Sequence, residues 1–234
     1  MGDDSEFSFG AMASSFDDHI SHSIRGYKDL RSDCVSFSQY FIQPNTKVLD
    51  IGCSSGEFLR SVRDHNQKRY ASTEYLGLDI EDNFQVQWLS RKDNNISFRK
   101  QNIIDYPGYE NLSVVFSLFT LQFISERERL PLVKRIYDGL NEGGALILSE
   151  KVHAKNAKIQ DMLTFVYYDF KRNSFSSDEI LDKEKSIRDQ MHLWSEYKIF
   201  EMLRAAGFAS NNLQLFWRNH LFIGILAWKQ PRYR

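Results

Sequence analysis

The sequence has 234 residues, of which 42% are hydrophobic and 14% aromatic, enough to fill the core of one α/β domain with extra helices. The 30 Lys and Arg residues nearly balance the 31 Asp and Glu residues, so the net charge of −1 gives no overall basic footprint for a nucleic-acid partner, and a local basic patch stays open. Cys34 and Cys53 are the two cysteines. Without a CxxC pair they predict neither a structural zinc site nor a disulfide framework.

The N-terminus begins Met-Gly-Asp-Asp-Ser-Glu, which is acidic and lacks the basic and apolar regions of a signal peptide. The apolar run at residues 221–228 is far shorter than the roughly 20 residues that a membrane-spanning helix needs. We therefore expect a cytoplasmic protein with no membrane partner.

Apolar side chains recur at helical spacing between residues 14 and 41 and predict helices that break near Gly26, within an N-terminal helical segment, residues 1–45. Beyond residue 47, short apolar runs alternate with amphipathic stretches. The strands predicted there are residues 48–51, 75–79, 96–99, 112–116 and 145–148. The helices predicted among them are residues 58–65 and 126–140, the second ending at a turn over residues 141–144.

The C-terminal part changes character after residue 150. Helices are predicted at residues 159–170, 178–191 and 195–206, and strands at residues 213–217 and 221–228. We expect one domain over residues 1–234, a doubly wound and mostly parallel α/β sheet with N-terminal and lid helices. Residues 151–191 form the predicted lid over the ligand, and the last two strands form an antiparallel hairpin at the sheet edge.

The motif most indicative of function is Val-Leu-Asp-Ile-Gly-Cys-Ser-Ser-Gly at residues 48–56. In an open parallel sheet, ligands bind at the carboxyl ends of the strands, where the strand order reverses. Gly52 and Gly56 allow a tight turn and a close approach to a ligand, and Asp50 can accept hydrogen bonds from amides or an ammonium group. A generic glycine turn is the alternative for this motif alone.

Two polar residues follow the next strands. Asp79 ends the second strand, where a carboxylate can accept two hydrogen bonds from the hydroxyls of a ribose; its alternative role is a helix N-cap. Asn102 follows the third strand and could bind an adenine edge or could lie in a simple loop. Because neither Gly-x-Gly-x-x-Gly nor a Walker motif is present, the ligand carries adenosine without phosphate, and S-adenosylmethionine (SAM) fits.

These residues resemble the class I SAM-dependent methyltransferase superfamily, and within it the carboxy-SAM synthase family. The resemblance covers roughly residues 16–229 and rests on several short sequence segments. They include Ser-Ile-Arg-Gly-Tyr at 23–27, Phe-Thr-Leu-Gln-Phe at 119–123, Leu-Ser-Glu-Lys at 148–151 and Asp-Phe-Lys-Arg at 169–172.

The resemblance implies an activity, a partner and a set of contacts. Family members join a carboxyl group taken from prephenate to the SAM methyl carbon, giving carboxy-SAM and phenylpyruvate, and they act in transfer-RNA modification. It also implies a homodimer. The implied cofactor contacts, with Asp50 and Gly56 from the motif, are Tyr27, Gly52, Cys53, Ser54, Asp79, Ile80, Asn102, Ile103 and Leu118.

The family's arginine, which reaches across the dimer to the new carboxylate, aligns on or beside Glu184. Lys185 and Arg188 are therefore the candidates for that catalytic charge, and Glu150, at the end of the fifth strand, is a candidate polar group of the pocket. Lys171 and Arg172 could receive an anionic cosubstrate or could be surface charges.

The sequence is also compatible with two other functions. One is a conventional methyltransferase of a small molecule or nucleic acid, for which we expect an open apolar cleft beside the methyl group. The other is a noncatalytic SAM-binding subunit, for which we expect an intact Asp79 without a competent polar group near the methyl. A basic pocket favours carboxy-SAM synthesis.

Overall fold

The computed structural model describes residues 16–231, so residues 1–15 of the predicted N-terminal segment lie outside the described residues. Within the described range no helix is long and apolar enough to cross a membrane. The helices are α1 Phe16–Ser23, α2 Tyr27–Phe41, α3 Glu57–Asn66, α4 Gln85–Leu89, α5 Glu126–Gly139, α6 Ala157–Lys171, α7 Ser177–Ile187 and α8 Glu196–Ala206. The strands are β1 Lys47–Ile51, β2 Glu74–Asp79, β3 Ile96–Lys100, β4 Leu112–Leu118, β5 Leu140–Lys151, β6 Leu213–Asn219 and β7 Phe222–Trp228.

The seven strands form one sheet in the order β3-β2-β1-β4-β5-β7-β6. β1 to β5 run parallel, and β7 lies antiparallel between β5 and the edge strand β6. The predicted doubly wound sheet with a C-terminal antiparallel hairpin is thus confirmed. The strand order reverses between β1 and β4, so the carboxyl ends of β1, β2 and β4 open onto one crevice.

Both faces of the sheet are covered, which explains why its central strands are apolar at successive positions rather than at alternate ones. In β4, residues Leu112 to Phe116 are all buried. One face packs against α5 and α8, where Leu132 and Leu203 are fully buried. The other packs against α2 and α3 through Leu30 and Leu59.

The fifth strand begins earlier than predicted. Residues 141–144 belong to β5, although Gly143 has a left-handed φ of 82°. The N–H of Gly143 donates to the carbonyl of Lys229, and the N–H of Lys229 donates to that of Gly144. Nζ of Lys229 also donates to the carbonyls of Tyr137 and Leu140, at 2.7 and 2.6 Å, and so caps the end of α5. The pairing with Lys229 decides this boundary, and no local sequence pattern predicts that pairing.

Helix α1 lies across the carboxyl edge of the sheet and is tied to the turn after β1. Oδ2 of Asp17 accepts a 2.5 Å hydrogen bond from Ser55, and its Oδ1 accepts one of 2.8 Å from Arg31. Phe16 packs edge-on against Phe84. The chain therefore covers the crevice from its N-terminal side, while α6 and α7 approach it from the other side.

Candidate active site at the carboxyl edge of the sheet

The turn after β1 is fixed by hydrogen bonds to β2. The N–H groups of Gly52 and Cys53 both donate to the carbonyl of Leu78, at 2.8 and 3.0 Å. The N–H of Ser54 donates to Oδ2 of Asp79 at 2.8 Å. Gly52 has a φ of 77° and Ser54 a φ of 49°, so the turn exposes backbone to the crevice in a left-handed conformation.

The two glycines of the motif have different tasks. A Cβ on Gly52 would overlap the side chain of Thr120, and Gly52 also lines the cavity described below. A Cβ on Gly56 would lie 2.5 Å from the ring of Phe98, and Gly56 does not line the cavity. The expectation that both glycines allow a ligand to approach stays a prediction, and the space beside Gly56 is occupied by the ring of Phe98.

Asp79 is buried at the end of β2 and faces the cavity. Its Oδ1 accepts a hydrogen bond from the N–H of Glu81 at 3.0 Å, and burial raises the pKa of the carboxyl while the backbone hydrogen bonds oppose that rise. Each oxygen keeps a further lone pair for a ligand hydroxyl. The geometry suits the predicted ribose contact. The alternative was a helix N-cap, and the N-cap of the short 3₁₀ helix Asp82–Phe84 is Glu81.

These groups open into a cavity of about 550 Å³. Seven of the predicted contacts line it: Gly52, Ser54, Asp79, Ile80, Asn102, Ile103 and Leu118. The size and the cradle of backbone, carboxylate and apolar side chains fit an adenosyl ligand. Asn102 uses Oδ1 to accept a hydrogen bond from the N–H of Ile104, which leaves its NH₂ group for a ligand.

Three predicted contacts are buried beneath the turn rather than on the cavity wall. The ring of Tyr27 packs on Phe119, with centroids 6.2 Å apart. Burial, with Asp79 nearby, raises the pKa of Asp50 to about 8, and Arg31 partly offsets this. Burial also raises the pKa of the Cys53 thiol. Tyr27, Asp50 and Cys53 are thus buried and lie outside the lining of the cavity in the described part of the chain.

Glu150 does not line the cavity, and its role as a polar group of the pocket stays a prediction. Its Oε1 accepts a 3.0 Å hydrogen bond from the N–H of Leu121, in the short 3₁₀ turn after β4. Burial raises the pKa of Glu150 to about 8, and Arg129 partly offsets it. Successive side chains of a strand point to opposite sides, and it is the next residue, Lys151, that faces the cavity.

Lys185 and Arg188 do not line the chain's own cavity either. The side chain of Lys185 is 74% exposed and pairs with Asp182 at 3.4 Å, and Arg188 is also exposed. The residues of α7 that line the cavity are Lys183, Glu184 and Ile187, which share one face because a helix turns about 100° per residue. The cross-subunit role of Lys185 and Arg188 stays a prediction.

Three lysines from three elements meet on the side of the cavity formed by the end of β5, by α6 and by α7. We call them the lysine cluster: Lys151, Lys171 and Lys183. Lys171 is only 4% exposed, although the sequence leaves open whether it is a surface charge. Nζ of Lys151 lies 3.5 Å from Oε1 of Glu184.

Aromatic rings complete this side of the cavity. Nζ of Lys151 lies 5.0 Å and Nζ of Lys171 5.4 Å from the centroid of the Tyr167 ring, and Nζ of Lys151 lies 6.0 Å from that of Phe222. Ring faces are negative and favour nearby cations. The other carboxylates of the lining, Asp79, Glu81 and Glu128, belong to the end of β2, the residues just after it and α5. The lysine cluster therefore forms a separate basic region.

Burial and mutual repulsion lower the pKa values of Lys171 and Lys183. Burial and Lys171 lower the pKa of Lys183 to about 7, and Glu184 opposes the change. Burial lowers the pKa of Lys171, with Lys151 contributing. His19 of α1 has its pKa lowered to about 4 by burial and by Lys183 and Lys171. An anion is the ligand that these groups would favour.

The fold and this site together define the class I SAM-dependent methyltransferase fold, and the chain is a SAM-dependent transferase of that class. The methyltransferase domain family matches residues 48–144. The chain is also similar to the human N-acetylserotonin methyltransferase solved in complex with SAM, with a TM-score of 0.54 and 14% identity, over 99% of this chain and 61% of that one.

Two relatives with higher sequence identity to this chain identify the family within that class. The carboxy-S-adenosyl-L-methionine synthase of Staphylococcus epidermidis is 33% identical over 220 residues, 93% of each chain. The synthase of Salmonella paratyphi C is 35% identical over 206 residues, 86% of this chain and 83% of that one. The chain belongs to the carboxy-S-adenosyl-L-methionine synthase family.

Proposed function

We propose that the protein is a carboxy-SAM synthase that converts SAM and prephenate to carboxy-SAM, phenylpyruvate and water. Prephenate releases carbon dioxide and its ring hydroxyl as hydroxide, the SAM methyl group gives a proton to that hydroxide, and the methyl carbon bonds to the carbon dioxide. The observation that carries the proposal is the lysine cluster, which lies in the same cavity as Gly52 and Asp79. Prephenate carries two carboxylates and the product gains one on the former SAM methyl group. A conventional methylation reaction gives its product no such charge.

The physical argument concerns the cost of burying an anion. A carboxylate taken from water into a protein interior is strongly destabilised unless cations or hydrogen-bond donors meet it. The lysine cluster supplies ammonium groups, one of them, Lys171, almost fully buried. Tyr167 and Phe222 give the same region an apolar surface against which the cosubstrate's ring can pack.

The proposal divides the cavity into two parts. SAM supplies the methyl carbon that is carboxylated, and its ribose hydroxyls donate to Asp79. Gly52 and Ser54 offer backbone to the rest of the cofactor, and Ile80 and Ile103 offer apolar contact to its base. The lysine cluster receives the carboxylates of prephenate, while α1 and α7 restrict the entry of water.

The deciding experiment incubates the purified protein with SAM and prephenate and analyses the products by liquid chromatography and mass spectrometry. We expect a species heavier than SAM by one carbon dioxide unit, formed together with phenylpyruvate. A methylated acceptor with S-adenosylhomocysteine would establish the conventional methyltransferase instead. Tight SAM binding without either product would favour a noncatalytic subunit.

A homodimer is part of the same proposal, as is a cytoplasmic role in transfer-RNA modification. Support for self-association comes from α6, which exposes apolar side chains on one face: Ile159, Met162, Phe165 and Val166. Contiguous exposed apolar surface is uncommon on monomers. Light scattering at micromolar concentration should give twice the chain mass. Phe165→Glu should give the single mass, while Leu89→Glu, a matched exposed apolar residue outside α6, should not.

A further inference from the structure

Phe119, just after β4, combines a strained backbone with a bulky side chain. Its φ of 61° lies in the left-handed region, which destabilises any residue that has a Cβ and is rare for bulky ones. Of the other five non-glycine residues with positive φ in residues 16–231, three are asparagines, which tolerate this conformation. Strained residues are concentrated at ligand sites, where the surrounding structure holds them in place. Phe119 is therefore a candidate for a role at the ligand.

Contacts with both neighbouring strands hold Phe119 in this conformation. Its N–H donates a 2.7 Å hydrogen bond to the carbonyl of Ser149 in β5. The next residue, Thr120, donates from Oγ1 to the carbonyl of Ile51 in β1 at 2.9 Å. The chain at Phe119 is thus tied to β5 on one side of β4 and to β1 on the other, so the direction of its ring is fixed.

Phe119 lies between the cofactor end and the basic end of the cavity, which it lines. On the cofactor side, Thr120 packs so closely on Gly52 that a Cβ there would overlap its side chain. On the basic side, the ring of Phe119 packs edge-on against Phe222, with centroids 5.9 Å apart. Phe222 is in turn 6.0 Å from Nζ of Lys151. Phe119 therefore occupies the step from the glycine turn to the lysine cluster.

The sulfonium of SAM has to lie along this step, because the sulfur joins the ribose side of the molecule to the methyl group that reacts. A sulfonium is a cation, and the lysine cluster repels it. A carboxylate beside the sulfur would pair with those lysines, whereas the negative face of an aromatic ring attracts a cation without neutralising them. A ring at this position thus meets the charge requirements of both ends of the cavity.

We infer that the ring of Phe119 contacts the sulfonium of SAM and makes the site favour SAM over S-adenosylhomocysteine, the thioether that lacks this charge. The inference rests on the placement of SAM in the proposed function, and it holds for any acceptor of the methyl carbon. Carboxy-SAM keeps the sulfonium, so the same contact serves that product as well.

The ratio of the affinities for SAM and S-adenosylhomocysteine, measured by calorimetry, tests the contact. Phe119→Leu removes the ring but keeps a Cβ, so the backbone strain is the same in both proteins. We expect the preference for SAM to fall about 3- to 30-fold, the effect of losing one cation–π contact. Phe216→Leu removes a ring that packs on Phe37 outside the cavity lining, and it should leave the ratio unchanged.

Fluorination of the ring separates recognition of charge from recognition of shape. Mono-, di- and trifluorophenylalanine at position 119 withdraw electron density from the ring face in steps and change its volume little. We expect the affinity for SAM to fall along the series, and that for S-adenosylhomocysteine to stay constant. This series also decides the question if Phe119→Leu fails to fold. Equal affinity for SAM throughout the series would overturn the inference.

The outcome is independent of carboxy-SAM synthesis, because binding alone is measured. Absence of carboxy-SAM from the parent would refute the proposed function, and a lowered ratio in Phe119→Leu would still support the sulfonium contact. Parallel losses of affinity for both ligands would assign Phe119 a contact of shape only and overturn the inference. A parent that binds neither ligand would overturn it too.

Discussion

The backbone N–H of Ser54 donates a 2.8 Å hydrogen bond to Oδ2 of Asp79 and joins the turn after β1 to the end of β2. This contact connects the two strongest signals of the sequence, the glycine motif and the acidic strand end. It also means that the carboxylate positions the turn as well as any ligand, because both of its oxygens already accept hydrogen bonds from the backbone.

Asp79→Ala should therefore weaken SAM binding by about 3 kcal/mol or more, through loss of two charge-assisted hydrogen bonds to the ribose and of the support to the turn. Isothermal titration calorimetry measures the effect. Glu74→Ala, an exposed acid at the opposite end of the same strand, is the matched control and should bind SAM like the parent. Unchanged affinity in Asp79→Ala would remove Asp79 from the site.

Gly52→Ala should destabilise the fold more than Gly143→Ala. Both glycines have similar left-handed conformations, with φ of 77° and 82°, and that conformation alone costs an alanine about 1–2 kcal/mol. A Cβ on Gly52 would also overlap Thr120, whereas on Gly143 it would meet the flexible end of Gln43 at 3.2 Å. Urea unfolding compares the two, and equal losses would show that Thr120 moves aside freely.

The sequence predicts the sheet and the cofactor end of the cavity because both depend on local signals. Short apolar runs define the strands, and the residue at a parallel strand's end lies at the ligand edge whatever surrounds it. Asp79 follows that rule. The start of β5 does not follow from local signals, because the backbone pairing of Gly143 and Gly144 with Lys229 joins distant parts of the chain.

The basic end of the cavity could not be selected from sequence in the same way. Lys183, Lys185 and Arg188 are equivalent as charges, and only the packing of Ile180 and Ile187 determines which of them faces inward. The sequence does contain one signal for this choice, because Lys183 lies on the same face of α7 as the apolar residues Ile180 and Ile187. Glu150 and Lys151 are adjacent, so their side chains point to opposite sides of the strand. The side chain of Glu150 points towards Leu121, whose N–H donates a hydrogen bond to it.

The buried acids give the protein a pH dependence opposite to that of ordinary surface pairs. Glu150 and Asp50 each have a pKa raised to about 8 by burial, from 4.5 and 3.8. Between pH 5 and 8 the folded chain therefore keeps protons that the unfolded chain has released. More protons are bound at these two acids in the folded state, so their contribution to the free energy of unfolding falls as pH rises through this window. His19 and Lys183, whose pKa values are lowered, contribute a slope of the opposite sign, His19 between about pH 4 and 6.5 and Lys183 above about pH 7.

Glu150→Gln should flatten that fall, since a glutamine keeps the oxygen that accepts from the N–H of Leu121 but carries no titrating proton. We expect the variant to have the same free energy of unfolding as the parent near pH 5. Towards pH 8 its free energy of unfolding should fall less steeply than that of the parent, by up to about 1.4 kcal/mol per pH unit, which is the slope that one titrating proton causes. Urea unfolding at a series of pH values measures this slope. Glu74→Gln, at an exposed position, should reproduce the slope of the parent. Parallel curves for the parent and Glu150→Gln would mean that Glu150 is ionised in the folded protein throughout, with Arg129 compensating the buried charge.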